Sequence, residues 1–249
     1  MMRPAILLLA LCALAAPPAT AQPPVTAAPA VSIPRVTTPP TLEDYLDGTP
    51  RPDEAAITTF VQREPGDGVP ASQPTEAYVS YDDEHLYVVF VARDRDPGQI
   101  RASLTRREGF SNNDYVGVML DTFRDRRRAY LFIVNPLGVQ LDGVSTDGAM
   151  GDDYSFDTVW QSRGRLTPFG YVAWLAIPFK SLRFSTVPEQ EWGIAFVRSI
   201  VRNNETSFWP YITRRVSGAV HQLAAATGLT NLSPGRNFQF IPYAAFTSR

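Results

Sequence analysis

The stretch Asn113-Asp-Tyr-Val-Gly-Val-Met-Leu-Asp-Thr122, followed by Arg128-Ala-Tyr-Leu-Phe-Ile-Val-Asn-Pro-Leu-Gly-Val-Gln-Leu-Asp142, decides the fold. Two runs rich in β-branched and aromatic residues each end in a polar residue, Asp121 and Asn135. The second then turns through Pro136 and Gly138 into a third short run ending at Asp142. Branched and aromatic side chains suit a pleated surface, whereas Pro and Gly suit turns. Extended segments that repeatedly deliver Asp or Asn to their ends describe a β-scaffold with polar groups on its rim, ready to carry a binding site.

Working outward, the same composition predicts strands at residues 76–81, 85–93, 115–121, 129–135, 158–166, 171–177, 192–200 and 207–213, with a less regular one at 221–229. Residues 54–60 form a short element, and Pro178-Phe-Lys-Ser-Leu182 gives the one helical turn of note. Leu86-Tyr-Val-Val-Phe-Val91 is apolar on both parities, as a central strand covered on both faces should be. No long amphipathic helix interrupts the series, which argues against an α/β fold with crossover helices. The expected class is all-β, a two-sheet antiparallel β-sandwich of the jelly-roll type.

The flanks predict where this domain works. Residues 1–21 carry one positive charge at Arg3, an apolar run from Ile6, and Ala19-Thr-Ala21 before Gln22, the layout of a secretory signal peptide. Residues 22–40, rich in Pro, Ala, Thr and Val without a period, read as a tether, and residues 41–230 as the globular part. Cys12 is the only cysteine, so once the leader is removed no disulfide, thiolate metal site or cysteine nucleophile remains. A formal net charge of −2 gives no reason to expect nucleic acid, and Arg124-Asp-Arg-Arg-Arg128 reads as a solvated hairpin tip. There are two histidines, His85 and His221, and no Gly-x-Ser-x-Gly elbow, His-Glu-x-x-His, phosphate loop or dinucleotide fingerprint. The chain therefore reads as a non-enzymatic domain.

Leu46-Asp-Gly48, Tyr81-Asp-Asp-Glu-His-Leu-Tyr87, Asn113-Asp114, Leu120-Asp-Thr122, Asn135-Pro-Leu-Gly138, Phe156-Asp-Thr-Val-Trp160, Ile177-Pro-Phe-Lys-Ser-Leu182 and Trp192-Gly193 follow one another in an order that resembles the family 9 carbohydrate-binding modules. The resemblance spans residues 42–213 and implies a jelly-roll sandwich that binds polysaccharide or oligosaccharide, in some members with calcium. A closer branch joins the module to an outer-membrane β-barrel, and residues 231–249, with Phe238-Gln-Phe-Ile-Pro-Tyr243, resemble the start of that region. Where relatives place a glutamate before the Ile-Pro, this chain has Trp174; such a glutamate is expected to pair with an arginine such as Arg198.

Sugar binding needs aromatic faces for the C–H patches of a pyranose and planar polar side chains for its hydroxyls. Trp160 has polar same-parity neighbours, Thr158 and Ser162, and so an open face; Trp209 and Tyr211 share a face near a sandwich end. Asn135, Asp142, Asp157 and Arg198 are the polar candidates, although Asn-Pro-Leu-Gly and Asp-Gly also serve as turn formers. A calcium ion could use oxygens from Asp142, Asp147, Asp152, Asp153 and Asp157, whose spacing matches no twelve-residue calcium loop. Two other functions stay open at this level. One is a structural domain that accompanies a barrel without binding sugar; the other is a haem-binding sandwich using Met119, Met150, His85 or His221.

Overall fold

The computed structural model describes residues 29–107, 109 and 112–233, which form two β-sheets packed face to face. The smaller sheet holds β2 (Ala55–Ile57), β4 (Thr75–Tyr81), β5 (His85–Arg93), β9 (Gln161–Thr167) and β10 (Gly170–Pro178), in the order β2-β4-β5-β10-β9. The larger holds β1 (Ala30–Ser32), β3 (Val61–Glu64), β6 (Tyr115–Asp121), β7 (Arg128–Val134), β8 (Gln140–Thr146), β11 (Glu189–Ile200), β12 (Glu205–Trp209) and β13 (Ala224–Thr230). Its main path runs β1-β13-β11-β6-β7-β8, with β12 and then β3 branching from β11. The chain crosses from β5 to β6 and again from β10 to β11, and each crossing links neighbours of the other, which gives the rolled sandwich expected from the sequence. All named pairs are antiparallel except β1 with β13.

Strand alternation builds the core. Val88, Phe90, Tyr171, Leu175 and Ile177 point inward from the smaller sheet and meet Val118, Phe132, Val134, Trp192, Ile194 and Phe196 from the larger. The opposite parity of the smaller sheet is covered as well: Tyr78, Val89, Val91 and Val172 pack under Leu42 and Tyr45. That cover explains why residues 86–91 are apolar at every position. Full burial of a side chain of this size contributes about 1.5–3 kcal/mol, so the central strands hold the sandwich without a disulfide.

Three expectations change. The tether predicted for residues 22–40 stops early: β1 pairs with β13, Ile33 and Val36 are buried, and Val36 donates its N–H to the Tyr81 carbonyl at 2.8 Å. Its alanine- and proline-rich composition hid a strand that borrows its hydrogen bonds from a distant partner. The strand predicted at residues 158–166 starts only at Gln161, and that predicted at 207–213 ends at Trp209, where Pro210 offers no N–H to the ladder. Arg124 is not a solvated tip residue; its guanidinium bonds Glu191 at 3.2 Å and the Leu223 and Ala224 carbonyls at 3.3 Å. The leader at 1–21 and the aromatic run from Phe238 lie outside the described residues.

Candidate functional site

The polar groups at the strand ends turn inward. Asp121, Asn135 and Asp142 are each at most 1% exposed. Asn135 closes its own turn, its Oδ1 accepting from Leu137 N–H at 3.0 Å and Val139 N–H at 2.9 Å while Nδ2 donates to the Ser103 carbonyl at 2.8 Å. Asp142 accepts from Arg107 Nη2 at 2.7 Å through one oxygen and from Thr158 N–H at 2.9 Å through the other. Asp157, largely exposed, pairs with the same Arg107 at 3.0 Å. These residues pin loops to the sandwich instead of presenting free groups to a ligand.

The aromatic candidates do not gather either. Trp160 precedes its strand, so alternation does not set its direction; it is 4% exposed and packs edge-on against Phe132 at 5.3 Å. Its expected open face is therefore closed by the core. Trp209 leans on Phe196 at 6.0 Å, while Tyr211, past the strand end, donates its hydroxyl to Asp67 at 2.7 Å. Arg198 points between the sheets, 1% exposed, and donates to the carbonyls of Pro74 at 2.9 Å and Arg93 at 2.8 Å. Trp174 lies on the far side of the smaller sheet, beside Val172 and with its Nε1 on the Pro40 carbonyl. A side chain at position 174 thus cannot pair with Arg198, contrary to expectation.

The metal readings fare similarly. Asp147 holds His221 Nδ1 at 2.9 Å, Asp153 holds Ser155, and Asp152 accepts from the Tyr154 hydroxyl at 3.3 Å. Among the described residues no three His, Cys, Asp or Glu side chains converge, so the aspartates do not form a calcium donor set.

One recess, about 300 Å³ in volume, sits on the outer face of the larger sheet. Its floor is the outward parity of four strands: Met119 from β6, Leu131 and Ile133 from β7, Val197 from β11 and Phe208 from β12. Tyr115, of the same β6 parity as Met119, continues the floor, Tyr154 stands beside it, and Arg63, Asp152, Ser145 and Thr146 supply polar groups. Met119 and Met150 both line it, and among the described lining residues there is no histidine to pair with them.

Local sequence fixes those walls. A Cβ at Gly143 would come within 2.8 Å of the Asp153 carbonyl and 2.9 Å of the Tyr154 ring, so glycine lets the returning loop lie flat on β8. Val144 and Asp153 then exchange N–H···O bonds of 2.9 Å, which sets Tyr154 beside the floor. On the other flank Asp147 accepts from both Val220 N–H and His221 Nδ1, tying the loop after β8 to the segment between β12 and β13. Gly218, at φ +88°, meets Asp147 so closely that no side chain fits. Burial, with the Asp152 carboxylate adding to it, pushes the Tyr154 hydroxyl up to about 12, and burial raises Tyr115 too. Both phenols stay neutral at ordinary pH, and the Tyr154 hydroxyl donates to Asp152. Among the described residues that line the cleft, Asp152 is the one carboxylate, so they supply no pair of acids of the kind glycoside hydrolysis uses.

The sequence carried a partial sign of this cleft. Residues 115–120 and 129–134 are apolar on both parities, which announces a second covered face, but the loops that cover it have no period to read.

A second recess, about 520 Å³, lies between Thr41–Leu42 and β9, with Trp160, Trp174, Gln140 and Gln161 at its edges. Trp160 contributes little surface there, and Arg163 is already paired with Glu43 at 2.7 Å. The outer-sheet cleft is the stronger candidate.

No protein-family model and no curated protein matches this chain in sequence. In structure it is similar to a candidate carbohydrate-binding protein from Bacteroides uniformis, with 12% identity and a TM-score of 0.59, covering 80% of this chain and 98% of that one. It is also similar to a family 9 carbohydrate-binding module from Caldicellulosiruptor kristjanssonii in complex with glucose, with 14% identity and a TM-score of 0.50, covering 86% and 100%. At these identities the likeness establishes the fold, an all-β sandwich like that of the family 9 modules.

Proposed function

We propose that this chain is a non-catalytic carbohydrate-binding domain, exported to the periplasm or cell surface, whose cleft on the larger sheet takes a saccharide. The observation that carries this reading is that Tyr115 and Tyr154 line one recess on the outer sheet face together with the polar residues Arg63, Asp152 and Ser145. Tyrosine rings supply flat apolar faces with a polar tip, which is what a pyranose requires. The shared fold supports the reading, as does a solved module of that fold in complex with glucose. Export rests on the leader-like residues 1–21, and association with an outer-membrane barrel on the aromatic run from Phe238.

One observation favours a purely structural accessory domain instead: Asn135, Asp142 and Arg198 all spend their polar groups inside the fold. A glycan array with purified protein, followed by calorimetric titration of the hits, separates the two. Binding that Tyr154→Ala weakens at least about tenfold supports the cleft. Silence across the array, with a cooperative thermal transition showing the protein folded, overturns the carbohydrate reading in favour of the accessory one.

A further inference from the structure

Beside the β6–β7 turn lies a third recess, about 500 Å³ in volume, whose walls are aromatic. Tyr130 and Val144 oppose each other on β7 and β8, and Tyr130, on the parity of Phe132, packs half-buried against the end of the core. Phe156, from the loop before β9, leans on Tyr130 with ring centroids 5.2 Å apart. Phe123 stands in the turn itself, 56% exposed. Arg128 and Arg183 line the same recess. Arg128 opens β7 opposite Thr146, while Arg183 is set in place by its backbone: its N–H donates to the Tyr130 hydroxyl at 3.3 Å and its carbonyl accepts from the Thr122 hydroxyl. Both arginines are exposed, and neither guanidinium has a hydrogen-bond or ion-pair partner among the described residues. Arg107, Arg124 and Arg163, by contrast, each hold a carboxylate. Asp125 is the one carboxylate among the described lining residues, and its Oδ1 accepts from Arg127 N–H at 2.8 Å.

Arg126 and Arg127 add charge of the same sign from the turn, on a chain whose formal net charge is −2, so the positive field belongs to this corner and not to the whole surface. A neutral sugar would suit the rings and leave both cations without a counter-charge. A free inorganic anion would answer the cations and leave the rings bare. From this pairing of open aromatic faces with unpaired guanidiniums we infer that the recess binds an acidic saccharide. The carboxylate of a uronate residue meets Arg128 and Arg183, and the C–H face of its ring lies on Tyr130, Phe156 and Phe123. About 500 Å³ holds that residue with part of its neighbour in the chain. The site is separate from the outer cleft, so each can take its ligand without the other.

The test titrates the purified protein with trisaccharides of galacturonate, glucuronate and mannuronate, each as the free acid at pH 7 and as its methyl ester. At least one acid should bind, at least about tenfold tighter than its ester, and its affinity should fall as salt is raised. Arg128→Gln and Arg183→Gln, which break no contact within the fold and should keep the thermal transition, should each weaken that acid at least about tenfold. Silence of all three acids overturns the inference, as does equal affinity for acid and ester. Uronate binding that survives both arginine variants but not Tyr154→Ala places the ligand in the outer cleft and also overturns it. Phosphatidylglycerol vesicles are the remaining arm: arginine-dependent retention on them, with no uronate bound, assigns the corner to a lipid surface instead. Neutral glycans that bind through Tyr154 while the uronates stay silent would leave the cleft reading intact and remove this one alone.

Discussion

Arg107 and Asp142 close one corner of the sandwich: the guanidinium donates through Nη2 and Nε to a single carboxylate oxygen, at 2.7 and 3.2 Å, on a side chain with no exposed surface. The same Nη2 reaches the Thr158 carbonyl at 2.7 Å, so one arginine joins β8 to the loop that leads into β9. Replacing Arg107 by Met leaves a buried carboxylate with only Thr158 N–H for company. The expected loss is about 1–3 kcal/mol, read from urea unfolding at neutral pH. A midpoint that does not move would show that the corner is held by other contacts.

Trp160 and Tyr154 should separate stability from binding. Trp160→Ala removes a core side chain edge-packed on Phe132 and should cost about 3–5 kcal/mol, whereas Trp160→Phe should leave glycan affinity unchanged. Tyr154 is 41% exposed, so Tyr154→Ala should do the reverse, weakening the ligand with little effect on the melting temperature. Parallel melts and titrations on the three variants check this. A Trp160→Phe protein that folds but binds poorly would move the site to the other recess.

Glu54 makes stability depend on pH. Burial pushes its carboxyl up to about 7, a shift that the Ser80 hydroxyl at 2.8 Å only partly opposes. The folded state therefore holds this proton more tightly than the unfolded chain, whose carboxyl titrates near 4.5. Stability should fall as pH rises between those two values, and the full penalty should persist above 7. Glu54→Gln should raise the melting temperature at pH 8 and remove this part of the slope between pH 5 and 8. An unchanged slope would show that the carboxyl ionises freely in the fold.

Asp147 ties the two flanking loops together through Val220 N–H and His221. Asp147→Ala should increase amide exchange across residues 213–223 and weaken ligand binding several-fold, while exchange in β5 and β10 stays slow. Uniform protection in the variant would mean that the loops are held from elsewhere.

How much of this was legible in the sequence differs from element to element. The strands β5, β6, β10 and β11 announced themselves because their runs are long and strongly branched or aromatic, and no local alternative competes with them. By contrast β1 and β8 were poorly marked: the first is three residues in an alanine- and proline-rich stretch, and the second contains Asp142 and Gly143. The candidate site was the harder reading. Aspartate and asparagine at strand ends serve turns as readily as ligands, and Asn135 and Asp142 illustrate the first use. Trp160 misled because parity holds only within a strand, and its strand begins one residue later. Tyr115 and Met119 carried no mark of a cleft in the sequence, because the loops that cover them have no period to read.

The branching of the larger sheet has its own consequence. One edge of β11 is divided, residues 189–194 pairing with β13 and residues 196–200 with β12. Both strands are thus anchored independently to the same neighbour, and the segment from Pro210 to Leu223 that joins them is held by side chains instead of the ladder: Ile212 and Val220 are buried, Tyr211 bonds Asp67, and Val220 N–H and His221 bond Asp147. Its length is not dictated by either register. Its exposed stretch, Arg214 to Ser217, can be lengthened or shortened without unzipping a rung or disturbing the buried anchors, which makes the tip of this flank an interchangeable part on a fixed chassis.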